Sequence, residues 1–208
     1  ISACLVGSEM CIRDRSFIVE TTIPIFTPEQ CQMIINAGRS EPRNNEEVWN
    51  EKGIKGGELY TKTRTSHISW IPFKKMGDMY KDIEKIMKTT NGNHFGFDGM
   101  TITEMAQYTE YPEGGFYDWH VDNDVNMQNE PPVRKISMTC LLSPENEFEG
   151  GDLQLECGSP SNPEREHSVA LKKGDIVFFP SYCWHRVLPV TSGERHSLVG
   201  WLHGPNWR

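Results

Sequence analysis

The residues with the clearest capacity for chemistry are His120 and Asp122, in the run YPEGGFYDWHVDND. Side chains two apart on a strand point to the same face. An imidazole and a carboxylate are therefore presented together. A second imidazole must come from a distant strand, and His185 stands at the end of the apolar run GDIVFFPSYCWHRV. Two histidines and one carboxylate leave one side of a metal open for small reactants, the arrangement of non-haem iron(II) oxygenases. Zinc accepts the same set with a water, so a zinc-dependent hydrolase is the alternative, and a non-catalytic jelly-roll binding or sensing module is a third reading.

Arg195 follows His185 by ten positions, across Pro189 and Thr191-Ser192-Gly193, a plausible turn. On that reading it returns beside the metal strand and faces the same cavity. A guanidinium fork matches a carboxylate in bidentate geometry better than an ammonium does, and the distal carboxylate of 2-oxoglutarate is the natural partner. Zinc hydrolysis leaves this arginine without an evident task. Ser197 and Trp201 share the strand parity of Arg195 and are expected to line the same cavity. Tyr117 and Asn123 flank the metal strand and are assigned to the substrate pocket.

These residues need strands to carry them. After Asn91-Gly92 the chain breaks into short β-like runs at 100–109, 115–122, 134–142, 152–156, 168–171, 175–179, 184–190 and 195–202, punctuated by Gly, Pro and Asn. That pattern predicts a sandwich, barrel or jelly roll. Further strands are expected at 17–25 and 64–71. Thr27, Pro28 and Gln30 predict a capped helix stopping at Gly38. Phe73, Met76, Met79, Tyr80, Ile83, Ile86 and Met87 have helical spacing over 73–90 and read as core packing. The expected fold is mainly β (α+β), with helices outside a β-rich core. Gly150-Gly151 reads as a sharp turn between core strands. Trp119 and Trp184, by alternation, point away from the metal into the layer beneath the helices. His67, His94, His167, His196 and His203 read as exposed or satisfied histidines, and Arg64 as a structural ion pair. Polar loops at 44–60 and 123–133 are candidate lids.

YPEGGFYDWHVDND, RKISMTCLLSPENEFEGGDLQL and GDIVFFPSYCWHRVLPVTSGERHSLVGW together resemble the prolyl 4-hydroxylase-like branch of the iron(II)/2-oxoglutarate dioxygenases, including small bacterial and phage members and PKHD-type hydroxylases. The resemblance covers about residues 100–204. It implies a double-stranded β-helix core and iron on His120, Asp122 and His185. It also implies a 2-oxoglutarate anchor at Arg195, with Tyr111 hydrogen-bonding the co-substrate. The cofactors implied are Fe(2+), 2-oxoglutarate and O2, with ascorbate as a further addition. The activity implied is hydroxylation of an unactivated C–H bond, with release of succinate and CO2. The substrate implied is a protein or peptide prolyl group or a small molecule. A tyrosine that some members carry within the region 136–142 is absent here.

Composition sets outer bounds. With 208 residues, a net charge of −8 and six scattered cysteines, the chain suits one domain with reduced thiols in the cytoplasm. It has no basic stripe for nucleic acid and no apolar run that would span a bilayer. Residues 1–15 (ISACLVGSEMCIRDR) lack periodicity and capping signals. They are set apart as non-native or disordered, leaving residues 16–208 as a single domain.

Overall fold

In the computed structural model, residues 18–43, 63–123, 131–156 and 165–207 are described. Residues 1–15 and the loop 44–60 lie outside that set, as does most of the loop 123–133. Two antiparallel sheets face one another. The larger runs β1 (Val19–Glu20), β10 (Ile176–Pro180), β6 (Val133–Leu141), β13 (Arg195–Gly204), β4 (Ala106–Tyr111) and β3 (His67–Ile71). The smaller runs β2 (Arg64–Thr65), β5 (Phe116–His120), β11 (His185–Val187), β8 (Leu153–Glu156) and β9 (Glu166–Val169). A separate pair, β7 (Phe148–Gly150) and β12 (Val190–Gly193), completes the strands. This is the expected jelly roll, mainly β, with two flanking helices among the described residues.

Period-two alternation divides the larger sheet into two faces. Tyr108, Ile136, Met138, Cys140, Ile176, Phe178, Leu198 and Leu202 pack outward against helix α1 (Pro28–Arg39) and helix α2 (Gly77–Thr90). The opposite face closes on the smaller sheet through Tyr111, Val177 and Phe179, which meet Leu153, Leu155, Val169 and Val187.

Helix α1 starts as its sequence dictates. Thr27 Oγ1 accepts from the Gln30 amide and the Gln30 side chain accepts from the Thr27 amide, a reciprocal cap. Gly38 does not end it, since the helix runs through Arg39 and is capped at Ser40. A Cβ at Gly38 would lie 2.3 Å from the Tyr108 ring. This glycine therefore lets the helix lie on β4. The second helix begins at Gly77, after a turn in which the Lys75 amide bonds the Pro72 carbonyl. Of the strand expected over 17–25, the described residues form only Val19–Glu20, although the Thr21 amide still bonds the Ile176 carbonyl at 2.9 Å. The strand expected from residue 100 begins at Ala106.

Behind β4 and β13, Arg39 and Arg43 each reach the buried Glu110 carboxylate at 2.7 Å. Tyr108 Oη donates to the same carboxylate at 3.1 Å and lies 2.9 Å from His196 Nδ1. Arg39 also pairs with Glu194 at 3.0 Å. These contacts tie the C-terminal end of α1 to the two strands.

Gly38→Ala should destabilise the fold by about 1–3 kcal/mol through overpacking on Tyr108, measured by urea unfolding. Burial pushes the Glu110 carboxyl up, but Arg39, Arg43 and Tyr108 outweigh it and hold it below its usual value of 4.5. A carboxyl depressed in the folded state contributes stability above its unfolded value and loses it as pH falls through the folded one. Unfolding free energy should therefore drop as pH falls below about 4.5, and Glu110→Gln should flatten that limb.

Candidate metal centre

In the smaller sheet, β5 and β11 pair so that His120 lies directly opposite His185. Their rings are 4.0 Å apart, centroid to centroid, and tilted by 51°. Asp122 follows β5 by two residues. Its Oδ1 lies 4.0 Å from His120 Nε2 and its Oδ2 3.7 Å from His185 Nε2. One ligand atom from each of the three lies within 4.8 Å of the others.

The chain fixes how each group is offered. His120 Nδ1 donates to the Asp118 carbonyl at 2.8 Å, and His185 Nδ1 donates to the Cys183 carbonyl at 3.0 Å. A carbonyl can only accept, so each ring carries its proton on Nδ1 and turns an Nε2 lone pair toward the cluster. Asp122 is held from the facing sheet. Ser137 Oγ on β6 donates to Oδ2 at 2.5 Å, and the Asp122 amide donates to the Ser181 carbonyl at 2.9 Å. Ser137 Oγ also lies 3.0 Å from Ser181 Oγ.

Burial lowers the pKa of His120, and the neighbouring His185 adds to the shift against the pull of Asp122. Burial pushes the Asp122 carboxyl up, but His185, His120, Arg134 and the Ser137 hydroxyl outweigh it and hold the group below its usual range. An ionised carboxylate beside a neutral imidazole with a free lone pair is the protonation state that metal binding requires. The donor set fits an iron(II) ion.

Arg195 is 2% exposed, at the start of β13. Its strand is not beside the metal strand, as the turn reading expected, but in the facing sheet between β6 and β4. The segment 190–193 is itself a strand paired with β7, so the connection is longer than a hairpin turn. Arg195 shares the inner face of the larger sheet with Tyr111, which packs toward the smaller sheet. Arg195 is in register with Tyr111, and its guanidinium carbon lies 5.5 Å from that ring's centre. Arg195 Nη1 is buried and has no hydrogen-bond partner among the described residues. Burial draws the guanidinium below its ordinary pKa, while Tyr111 and Asp152 oppose the shift. An orphaned buried cation is costly, and a ligand carboxylate would satisfy it. Ser197 is buried on the same face, opposite Thr109 and Leu141. Trp201 lies opposite Ser137, one strand from the triad.

The remaining assignments divide. Tyr117 stacks on His120 at 3.5 Å, with the buried Arg64 over its ring at 4.5 Å. Asn123 is 5% exposed and its side chain donates to the Arg134 carbonyl, so it latches β6. Trp119 and Trp184 do point away from the metal. They are not core, however: Trp184 is 50% exposed and Trp119 lies under Arg186. Both helices pack on the larger sheet, and the outer face of the smaller one bears no helix among the described residues.

Sequence reasoning missed Arg134. The β6–β13 register shifts at Leu202/His203, skipping Lys135. Arg134 stacks on the Trp201 ring at 3.6 Å and forms a two-point contact with Glu104, while Lys135 turns to Trp207 and Phe97. His203 joins Glu104 at 3.3 Å. Period-two counting from Ser137 points Arg134 the wrong way, and only the bulge corrects it.

His120, Asp122 and His185 thus gather at one end of the jelly roll, with only His185 fully buried, and Arg195 is buried on the facing sheet. Residues 106–203 match the family model described as the 2OG-Fe(II) oxygenase superfamily. A PKHD-type hydroxylase of Idiomarina loihiensis is 41% identical over 116 residues, 52% of this chain and 49% of that protein. The chain spans about half or less of the length of the curated relatives it matches. In fold it is similar to a viral collagen prolyl hydroxylase from Paramecium Bursaria Chlorella virus-1, with a TM-score of 0.67 at 21% identity, covering 93% of this chain and 99% of that one. It is also similar to a Pseudomonas putida prolyl-4-hydroxylase, with a TM-score of 0.65 at 20% identity over 89% and 91% of the chains. Among the described residues no helix is long and apolar enough to cross a membrane.

Ser137→Ala removes the hydroxyl from Asp122. It should weaken iron(II) or cobalt(II) binding about 10–100-fold without unfolding the protein, measured by competition with a metal indicator.

Proposed function

We propose that this chain is an iron(II)- and 2-oxoglutarate-dependent dioxygenase that hydroxylates an unactivated C–H bond, on a prolyl-containing peptide. The observation that carries the reading is the pairing of a protonation-ready His120–Asp122–His185 cluster with the orphaned guanidinium of Arg195. A zinc hydrolase would use the first and leave the second without a partner.

His120, Asp122 and His185 would hold the metal, and Arg195 would take the distal carboxylate of 2-oxoglutarate. Tyr111, in register with that arginine, and Ser197 complete the co-substrate site. When bound, iron(II) and 2-oxoglutarate supply O2 activation, with succinate and CO2 as co-products; ascorbate serves as an external reductant. The chain's own contribution is placement. The Nδ1–carbonyl bonds fix the imidazoles, and Ser137 fixes the carboxylate. Phe179, Leu155 and Val187 are apolar, buried neighbours of the triad and keep water from it. Trp201, Arg134 and Tyr117 line the side from which a substrate approaches. Proline as the substrate rests on the likeness to prolyl hydroxylases. We read residues 16–208 as one catalytic domain. Cys31 and Cys140 are buried thiols with no disulfide among the described residues, which suits a cytoplasmic setting.

Anaerobic addition of iron(II) and 2-oxoglutarate should give a visible charge-transfer band, and a peptide panel should yield products heavier by one oxygen atom with matching succinate. His185→Ala should abolish the band and turnover. Arg195→Ala should keep metal binding but weaken 2-oxoglutarate by about 2–4 kcal/mol. Unchanged 2-oxoglutarate dependence in that variant would defeat the anchor assignment.

A further inference from the structure

The turn between β10 and β11, residues 181–184, serves two of the three candidate metal ligands at once. The Ser181 carbonyl accepts from the amides of Asp122 and Asn123, each at 2.9 Å. The Cys183 carbonyl accepts from His185 Nδ1 at 3.0 Å. Ser181 Oγ lies 3.0 Å from Ser137 Oγ, the hydroxyl that donates to Asp122. Within the turn, the Cys183 amide donates to the Pro180 carbonyl at 2.9 Å. That bond closes the turn but does not fix where the turn sits over the cluster.

Tyr182 stands between the two residues whose carbonyls do this holding. Its ring meets Trp207 edge-on, with centroids 5.2 Å apart and planes at 71°. Trp207 lies just beyond β13, which ends at Gly204. Its other contacts reach the strand on which the turn rests. The Lys135 ammonium lies 3.5 Å over the Trp207 ring, and Phe97 meets that ring edge-on at 5.4 Å. The Lys135 carbonyl accepts from the Ser181 amide at 2.9 Å. One indole therefore grips the turn through Tyr182 and β6 through Lys135. The indole nitrogen is buried with no hydrogen-bond partner among the described residues. An unpaired buried donor is costly, so ring contacts and not polar ones keep Trp207 in its seat. Edge-to-face pairs prefer a defined geometry, and each peptide unit is a rigid plane. Movement of Tyr182 would carry the Ser181 and Cys183 carbonyls with it.

We propose that Trp207 is a positioning residue for the metal centre. Acting through Tyr182, it fixes the two carbonyls that hold the Asp122 backbone and the His185 ring. The inference rests on the metal reading given above and adds to it a residue outside the ligands and their direct partners. A ring that merely filled space would stabilise the fold without altering the cluster.

Two measurements on the full chain test this, both under conditions where each variant is folded. The first needs no metal. Amide hydrogen exchange at Asp122 and Asn123, followed by NMR, should speed up about tenfold in Trp207→Ala, because their shared acceptor loosens. The Leu142 amide, bonded to the His196 carbonyl far from the turn, should keep its wild-type rate. The second is cobalt(II) affinity, read from the visible absorption of the bound ion. Trp207→Ala should weaken it about three- to tenfold, short of the roughly 10–100-fold expected for a direct partner of a ligand. Trp207→Phe keeps an aromatic edge against Tyr182 and should restore affinity to within about twofold. Tyr182→Ala should weaken cobalt(II) like Trp207→Ala, and the double variant should be no weaker than Tyr182→Ala alone. Trp207→Leu keeps apolar bulk without the aromatic edge and serves if the alanine variant does not fold. Unchanged exchange at Asp122 and Asn123, equal acceleration at Leu142, unchanged cobalt(II) affinity or additive losses in the double variant each overturn the inference and leave the metal reading standing. A wild type that binds no cobalt(II) overturns the metal reading and this inference with it.

Discussion

The candidate centre depends on one residue being held by both sheets. Asp122 leaves the smaller sheet at the end of β5, yet its carboxylate takes a hydroxyl from β6 and its amide bonds the chain just past β10. The two histidines need no such bridge, because adjacent antiparallel strands bring them opposite each other. A carboxylate on a different strand of the same sheet would have to cross beside the imidazoles. Placing it two residues past His120, where the strand has ended, lets the backbone turn inward and the facing sheet catch it.

That catch is electrostatically expensive. Removing a carboxylate from water costs several kcal/mol unless charge or hydrogen bonds compensate. Here the Ser137 hydroxyl and, at longer range, Arg134 do so. The far end of the roll faces the converse problem with Arg195. Its aromatic neighbour Tyr111 offers a π face and no formal charge. The interior therefore holds one anion near the mouth and one cation deep inside, each incompletely satisfied by the protein. A metal ion at one and a carboxylate at the other would complete both.

Much of this was legible from residue order. The H-x-D pair and the distal histidine were readable as residue types, but the strand expected over 115–122 ends at His120, so Asp122 reaches the cluster through a turn and not by alternation; the parity of Arg195, Ser197 and Trp201 does put them on one face of β13. The capping box of α1 was readable because its signal is local. Pairing partners were less accessible. The turn at Thr191–Gly193 suggested a hairpin beside the metal strand, whereas those residues pair with β7 and deliver Arg195 to the other sheet. Nothing local distinguishes a strand that turns back from one that crosses over. Trp119 and Trp184 failed for a related reason: alternation gives the side of a sheet, but not whether a helix covers it. Gly38 looked like a helix terminator because the Tyr108 ring it accommodates is distant in sequence.

The bulge at Lys135 works like a reading-frame shift written in side-chain direction. Upstream of it every residue of β6 faces opposite to where uninterrupted alternation would put it, so the arginine of the Arg134-Lys135 pair lies on the indole of Trp201 and the lysine enters an aromatic pocket behind. Exchanging Arg134 and Lys135 would alter neither composition nor charge. A planar, fork-shaped group at the mouth would give way to a point charge on a flexible stem. The chemical character of the entrance is thus encoded in the count of residues between two ladder bonds as much as in their identity.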